Sequence, residues 1–375
     1  MASSKEPASS TIEDLIQKAA GLQATIQTGS ESPLYQKFMD RIAPLIDLPQ
    51  TSEFVIDAFL ARDVTAEKLS QALKGNVYFQ QTFYRVIDSL SKRAEGEPPP
   101  ALESAIVLLG MQNSRNLILA MQMARSILGA HPEWTKEGKL KTQPKDVLKH
   151  ALEIESANAT SKDEYTDFAF AAGLLFDMMT MIASSNWVGN EVGHSDGKKV
   201  VTFIETVWKQ GRKTAQIAAA ISGTTKQFSY RRYFYAASLV HDIGKIVMAM
   251  LDPTYLEFLE QCSKKDLPRA MRRYLEMKRF GVNHSLFGAL ICRYFKVFAP
   301  FSRAILYQHE PYLLSAREKK LFELSAFVSF STNIASNFKK TDKLDDPIIA
   351  RWKGPELGAC KIDMPKVLQA VSKIS

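Results

Sequence analysis

Apolar residues recur at helical spacing along almost the whole of this chain, and no stretch alternates in the two-residue period of a strand. That pattern predicts an all-α fold. With 375 residues, 46% of them hydrophobic and 23% charged, the chain can bury a substantial core, and its length admits one large or two ordinary domains. Breaks in the periodicity set the expected elements. Ser10 to Glu13 reads as a capping box, and behind it Ile12, Leu15, Ile16, Ala19, Leu22 and Ile26 form one stripe stopped by Gly29. Asp63-Val-Thr65 starts a helix through Leu69 and Leu73, Phe79 to Leu90 gives another, and Ala94 to Pro100 is a proline-rich break. Leu102 to Gly110 reads as a helix with a glycine end, and Asn113 caps a successor, Ser114 to Leu128. His131 to Lys149 and Asn186 to Lys199 read as loops, flanking helices at Val147–Ala159 and Glu164–Ser184. Helices follow at Phe203–Ile221, Arg231–Leu251 (halted by Asp252-Pro253), Asn283–Phe295, Phe301–His309, Ser315–Phe338 and Met364–Ile374.

The formal charge is +8, with local clusters at Lys136–Lys145, Lys209–Lys213 and Arg269–Arg279. Such faces suit nucleic acid, acidic lipid or an acidic partner, or are simply solvated. Helix, glycine turn, helix around Gly110 resembles a DNA-reading arrangement only superficially. Its second helix is too apolar for a wet groove, so DNA is not an expected partner. Cys262, Cys292 and Cys360 are odd in number and widely spaced, which argues for reduced thiols and a cytoplasmic setting. Met1 to Ser10 has no apolar signal-peptide core, and no apolar stretch reaches the roughly 18 residues of a transmembrane segment.

The most informative dipeptide is His241-Asp242, at the end of the apolar run Phe234 to Val240. An imidazole beside a carboxylate can hold one metal ion from a single helical turn. A metal-dependent phosphohydrolase of that kind needs a further histidine upstream, yet none lies between His194 and His241. A second reading makes His241 a core histidine bonded to a neighbour such as Asp242 or His284. His309, before Glu310-Pro311, also reads as a helix C-terminal residue whose charge suits the dipole.

The order of several segments resembles the HDOD family, the HD-related output domain of bacterial signalling and a branch of the HD phosphohydrolase superfamily. The resemblance is carried by Leu48-Pro49, Asp88-Ser89, Ser104 to Gly110 with Arg115 to Leu119, Trp208, Leu239 to Lys245, Phe280 to His284 with Gly288-Ala289, and His309 to Pro311. It covers roughly 35–130 and 203–375. It implies four parts: an extension with an amphipathic helix at 1–32, an N-terminal helical subdomain at 33–130, a helical insertion at 131–202, and an HD-like helical subdomain at 203–375. His241, Asp242, His284 and His309 match metal-binding positions of the superfamily and would hold Fe, Mn or Zn, with Gln210 and Lys245 nearby. Two positions depart from that pattern. Lys209 and Gln210 stand where the first histidine is expected, and Ser331, Thr332 and Asn333 stand where the later aspartate is expected.

The depleted ligand set predicts a non-catalytic signalling or scaffold protein with no resident cofactor. It would act through a protein partner, with a link to cyclic-dinucleotide or two-component systems implied by the resemblance. Alternatives are a metal-dependent phosphohydrolase of a nucleotide or cyclic dinucleotide, with Lys245 or Arg212 near phosphate, and a nucleotide-binding sensor without turnover. Two surfaces are expected to meet a partner: the stripe Ile12 to Ile26 and, preferentially, the insertion with Phe168, Phe170, Phe176, Met178, Met179 and Met181.

Overall fold

The computed structural model describes residues 29–45, 64–74, 100–111, 197–224, 231–314 and 318–337, with isolated residues at 80, 84, 114–115, 118, 172–173, 175–176, 179–180, 182–183 and 369. Every regular element among the described residues is helical. The helices expected at Ile12–Ile26 and Val147–Ala159, the cap at Asn113, Phe168, Phe170 and most of Met364–Ile374 lie outside them.

The first element, α1 (Pro33–Lys37), is opened by Ser32. Its hydroxyl accepts from the Tyr35 N–H at 3.2 Å and donates to Gly29 O at 2.7 Å. A π-helical turn, Phe38–Ile42, and a 3-10 turn, Ala43–Leu45, continue from it. Residues 29 and 30 are themselves helical, so the helix stop expected at Gly29 does not fall there. Glycine is there for close contact: a Cβ on Gly29 would lie 2.8 Å from Leu286 Cδ2.

Next come α2 (Ala66–Leu73), capped by Thr65 through the Lys68 N–H, and α3 (Leu102–Leu109), ended by Gly110 at φ +86°. Both ends agree with the sequence expectation. Leu69 and Leu73 of α2 bury against Leu102, Ala105 and Ile106 of α3 and Ile118, forming a small core of their own.

The larger core is built by α4 (Gly197–Thr224), α5 (Arg231–Val240), α6 (Ile243–Leu251), α7 (Thr254–Lys264), α8 (Arg269–Phe280) and α9 (His284–Tyr294). A 3-10 turn (Lys296–Phe301), α10 (Ser302–Leu306), a second 3-10 turn (Pro311–Leu313) and α11 (Lys319–Asn337) complete it. Helix α4 packs on α5 and α11, and α9 packs on α6 and α10. Helix α10 is shorter than expected, because residues 307–309 form turns that swing Gln308 and His309 inward. The segment Tyr233–Leu251 does reach the length and mean hydropathy of a membrane span, contrary to expectation, but 94% of it is buried among the other helices.

Two features of the expected insertion at 131–202 differ from the packing. Phe176 and Met179 are only 3% and 1% exposed and belong to the main core, where Phe176 lies 4.3 Å from the Trp208 ring. They therefore present no face to a partner. The expected boundary at 202–203 also falls inside α4. Phe176→Ala is accordingly expected to cost about 3–5 kcal/mol in urea unfolding, as for a core phenylalanine; a cost under ~1 kcal/mol would show a surface role.

Of the described glycines, Gly244 makes the closest approach to another backbone, where α6 crosses α9. A Cβ on Gly244 would fall 2.0 Å from His284 O and 2.7 Å from Gly288 N, whereas one on Gly288 would meet nothing nearer than 3.3 Å. Gly244→Ala must therefore push two backbones apart. We expect it to destabilise by about 3 kcal/mol or more and Gly288→Ala by roughly 1 kcal/mol, measured by denaturant unfolding followed by circular dichroism.

Candidate functional site

His241-Asp242 does not continue the helix that the apolar run predicts. Residues 231–251 form two helices, α5 and α6, with His241 and Asp242 as the turn between them. The Lys245 N–H bonds back to Asp242 O at 2.9 Å, and the His241 carbonyl accepts instead from Gln308 Nε2 at 3.0 Å. A side chain 67 residues further on thus satisfies the carbonyl at the break. Gly244, two residues past the turn, lets α6 meet the start of α9 and brings the dipeptide up to His284.

His241 is fully buried. Its Nδ1 lies 2.7 Å from Ser238 O, which places the proton on Nδ1 as the donor. Its Nε2 lies 3.4 Å from Asp242 Oδ2 and has no hydrogen-bond partner among the described residues, and neither has Asp242 Oδ1. Lys245 Nζ sits 2.7 Å from Asp242 Oδ2. Burial acts to raise the Asp242 pKa, but the charges of His241, Lys245 and His284 outweigh it and hold the carboxylate well below its ordinary range.

The second half of the site is centred on Glu276 of α8, 1% exposed. Its Oε1 accepts from the Tyr255 hydroxyl at 2.9 Å; its Oε2 accepts from the His284 backbone N–H at 3.0 Å and from His284 Nδ1 at 2.6 Å. Burial would raise the Glu276 pKa, but the His284 charge and these hydrogen bonds lower it overall. Burial and the facing carboxylate push the Tyr255 phenol well above its usual value. His284 Nδ1 faces Glu276, and its Nε2 lies 3.0 Å from His309 Nε2, one of the two donating and the other accepting. Burial first, and then the charges of His284, Arg273 and Lys245, hold His309 well below the ordinary histidine value, against the pull of Asp242.

Two arginines of α8 close the surroundings. Arg273 pairs with Glu310 at 2.6 Å. Arg269 donates to Asn333 Oδ1 at 2.7 Å and Ser336 Oγ at 3.0 Å, so the segment expected to hold an aspartate offers a neutral acceptor to a cation. Of the other candidates, Gln210 and Arg212 flank Gly211, whose Cβ would lie 2.5 Å from Leu239 O where α4 crosses α5. Among the described residues no hydrogen bond or ion pair joins either side chain to the histidines.

The expected metal ligands thus fall into two pairs, His241 with Asp242 and His284 with His309. The orphaned His241 Nε2 and Asp242 Oδ1 are donors of the right kind for a cation. Three donors on one ion are needed at least, however, and among the described residues no group of three His, Cys, Asp or Glu side chains is arranged to hold one. An ammonium already rests on Asp242, and His284 and His309 bond each other. In this arrangement the donor set does not fit a metal. Sequence reasoning missed Glu276, Tyr255 and Gln308, and saw Arg269 and Arg273 only as part of a basic cluster. The available signal was a single acid in the strongly basic α8, at i−4 from the buried Phe280.

Residues 182–311 match the HDOD domain family, a span that includes every member of the histidine cluster. Comparison with curated proteins gives no match. Three solved structures are similar. A candidate phosphohydrolase of Shewanella amazonensis SB2B is 16% identical, covering 92% of this chain and 95% of that one, with a TM-score of 0.45. An HDOD domain protein of unknown function from Geobacter sulfurreducens is 13% identical, covering 94% and 99%, also at 0.45. The MmoQ response regulator of Methylococcus capsulatus is 15% identical, covering 86% and 95%, at 0.35.

His309 gives the cluster a testable pH signature. Its folded pKa lies below the unfolded value near 6.5, so the unfolded chain takes up this proton first. Stability is then complete above about pH 6.5 and falls as pH drops from there, by at most ~1.4 kcal/mol per unit for one proton. Asp242 and Glu276 have depressed pKa values. Their contributions persist above the ordinary carboxylate range and are lost only as pH falls through their folded values, so they do not mask the slope. Urea unfolding in a chelating buffer between pH 7 and 5 should show it, and His309→Gln should flatten it.

Proposed function

We propose that this chain, whose residues 182–311 carry an HDOD domain, is a non-catalytic signalling protein that works through contact with another protein. The domain match supports a signalling-related role in general. The finer reading rests on one observation: apart from His241 Nε2 and Asp242 Oδ1, the ligand-type groups of the cluster are engaged with protein partners. Lys245 occupies Asp242, and Glu276 and His309 occupy the two ring nitrogens of His284. An activated water needs a cation held by several fixed donors to bring its pKa towards neutrality. Here the same residues tie the α5–α6 turn, α8, α9 and the 308–310 turn to one another.

A surface near that network suits a partner. Met271 and Tyr274 of α8 are exposed, as are Tyr312 and Leu313 just past Glu310, and the Arg273–Glu310 pair joins the two segments. Lys278 lies 5.5 Å from the Tyr274 ring centre, adding positive charge to the face. Exposed apolar side chains rimmed by cations favour a partner with an apolar centre and an acidic margin.

Elemental analysis with turnover assays tests this reading. The purified protein should carry under about half an equivalent of transition metal, as expected of an incomplete ligand set. It should turn over cyclic dinucleotides and common nucleotides no faster than a His241→Ala/Asp242→Ala control. Near-stoichiometric Fe, Mn or Zn, together with turnover abolished by that double change, would establish the hydrolase instead.

A further inference from the structure

We propose that the recess between α9 and α10 binds a small monoanion with an apolar body, of the chemical class of an arylalkanoate. The recess has a volume of about 160 Å³, and its lining includes Leu286, Ala289, Leu290 and Arg293 from α9 and Arg303 and Leu306 from α10. The α9 residues stand at i, i+3, i+4 and i+7, so they form one stripe about 10 Å long. Ala289 makes the hollow, as the short side chain between two leucines. A crossing with a structural role alone would favour a larger residue there, because unfilled space in a close-packed interior is destabilising.

Enclosure decides the kind of occupant. Leu286, Ala289 and Leu290 are no more than 5% exposed, and buried Gly29 rests against the Leu286 side chain at one end. Arg293 and Arg303 are exposed, so the recess opens on their side. The flat face of a protein does not reach the leucines through such a mouth, whereas a small molecule does. An engineered apolar cavity of roughly 150 Å³ takes up benzene, so the inner part suits a phenyl-sized group.

Charge sets the rest of the ligand. Arg303 is paired with Glu318, but Arg293 makes no hydrogen bond or ion pair among the described residues. The last turn of α9 is a favourable place for a cation, yet the helix dipole leaves a full charge standing at the mouth. Ser302, the other polar residue of the lining, already donates to Ala299 O at 2.9 Å. One unpaired cation beside an apolar interior calls for a single negative charge on an apolar body. A ring seated beside Leu290 lies about one helical turn, roughly 5 Å, from Arg293. A two-carbon tether to a carboxylate spans that gap. Helix α9 begins with His284 and α10 leads into Gln308 and His309, so the ligand would sit between the two helices that carry the histidine pair. The inference does not depend on whether that cluster binds a metal.

Calorimetric titration of the full-length protein with 3-phenylpropanoate and with its neutral amide tests the site. The acid should bind saturably, with a Kd on the order of 1 mM or below. The amide should bind at least about tenfold more weakly, for want of a charge-assisted bond to Arg293. Arg293→Gln should bring acid and amide to equal affinity, and Ala289→Leu should abolish binding of both. Should Ala289→Leu fail to fold, the acid-to-amide ratio in the exposed Arg293 variant decides. No saturable binding to the unaltered chain, equal affinity for acid and amide, a ratio unchanged in Arg293→Gln, or binding untouched by a folded Ala289→Leu would each overturn the proposal. So would leucine methyl resonances of the recess that shift with protein concentration alone, which would assign it to a second copy of the chain.

Discussion

The approach of Gly244 to the His284 carbonyl is the constraint on which the larger helical unit depends. No side chain could stand at Gly244, because a Cβ would fall 2.0 Å from that oxygen. Through this contact the turn at His241-Asp242, which follows α5, shares a site with an imidazole more than forty residues further along. Gly211 plays the matching part on the other side, where α4 crosses α5 against the Leu239 carbonyl. The segment 233–251 is thus clamped between α4 and α9 by backbone contact, and its apolar side chains are covered by protein. Interiors packed at this density leave the turn little freedom.

Burial also explains why the polar groups sort as they do. A buried carboxylate is tolerable only when its charge is met and its lone pairs are bonded. Glu276 meets both conditions through Tyr255 and His284, and Asp242 meets the first through Lys245. With Glu276 turned inward, the outer face of α8 has no acid to offset its cations. Arg269 and Arg273 are anchored by Asn333, Ser336 and Glu310. Met271, Tyr274 and Lys278 are left facing solvent.

What could be read from the sequence was local. Helical periodicity announced the all-α class, and Thr65, Gly110 and Asn283 end or begin helices where their chemistry says they should. The pair Asp242 and Lys245 was also visible, at i and i+3. The break at His241 was not. Nothing in Leu-Val-His-Asp-Ile-Gly opposes a continuous helix; the turn depends on Gln308, a partner distant in sequence. Helix α8 was hidden for a related reason, since its apolar Met271 and Tyr274 face outward and its one acid faces in. Phe176 and Met179 show the opposite error. A cluster rich in Phe and Met reads equally as core or as interface, and only the neighbouring Trp208 decides between them.

These contacts form one physically continuous series. Tyr312 and Leu313 follow Glu310, Glu310 holds Arg273 of α8, Glu276 of the same helix holds His284, and His284 meets His309 one residue before Glu310. Gln308 then carries the connection to the His241 carbonyl and so to the α5–α6 turn. Bonded to one another, they make the exposed aromatic face and the buried turn parts of one connected series. A partner that contacts Tyr274 or Tyr312 therefore bears on the same elements that hold His241.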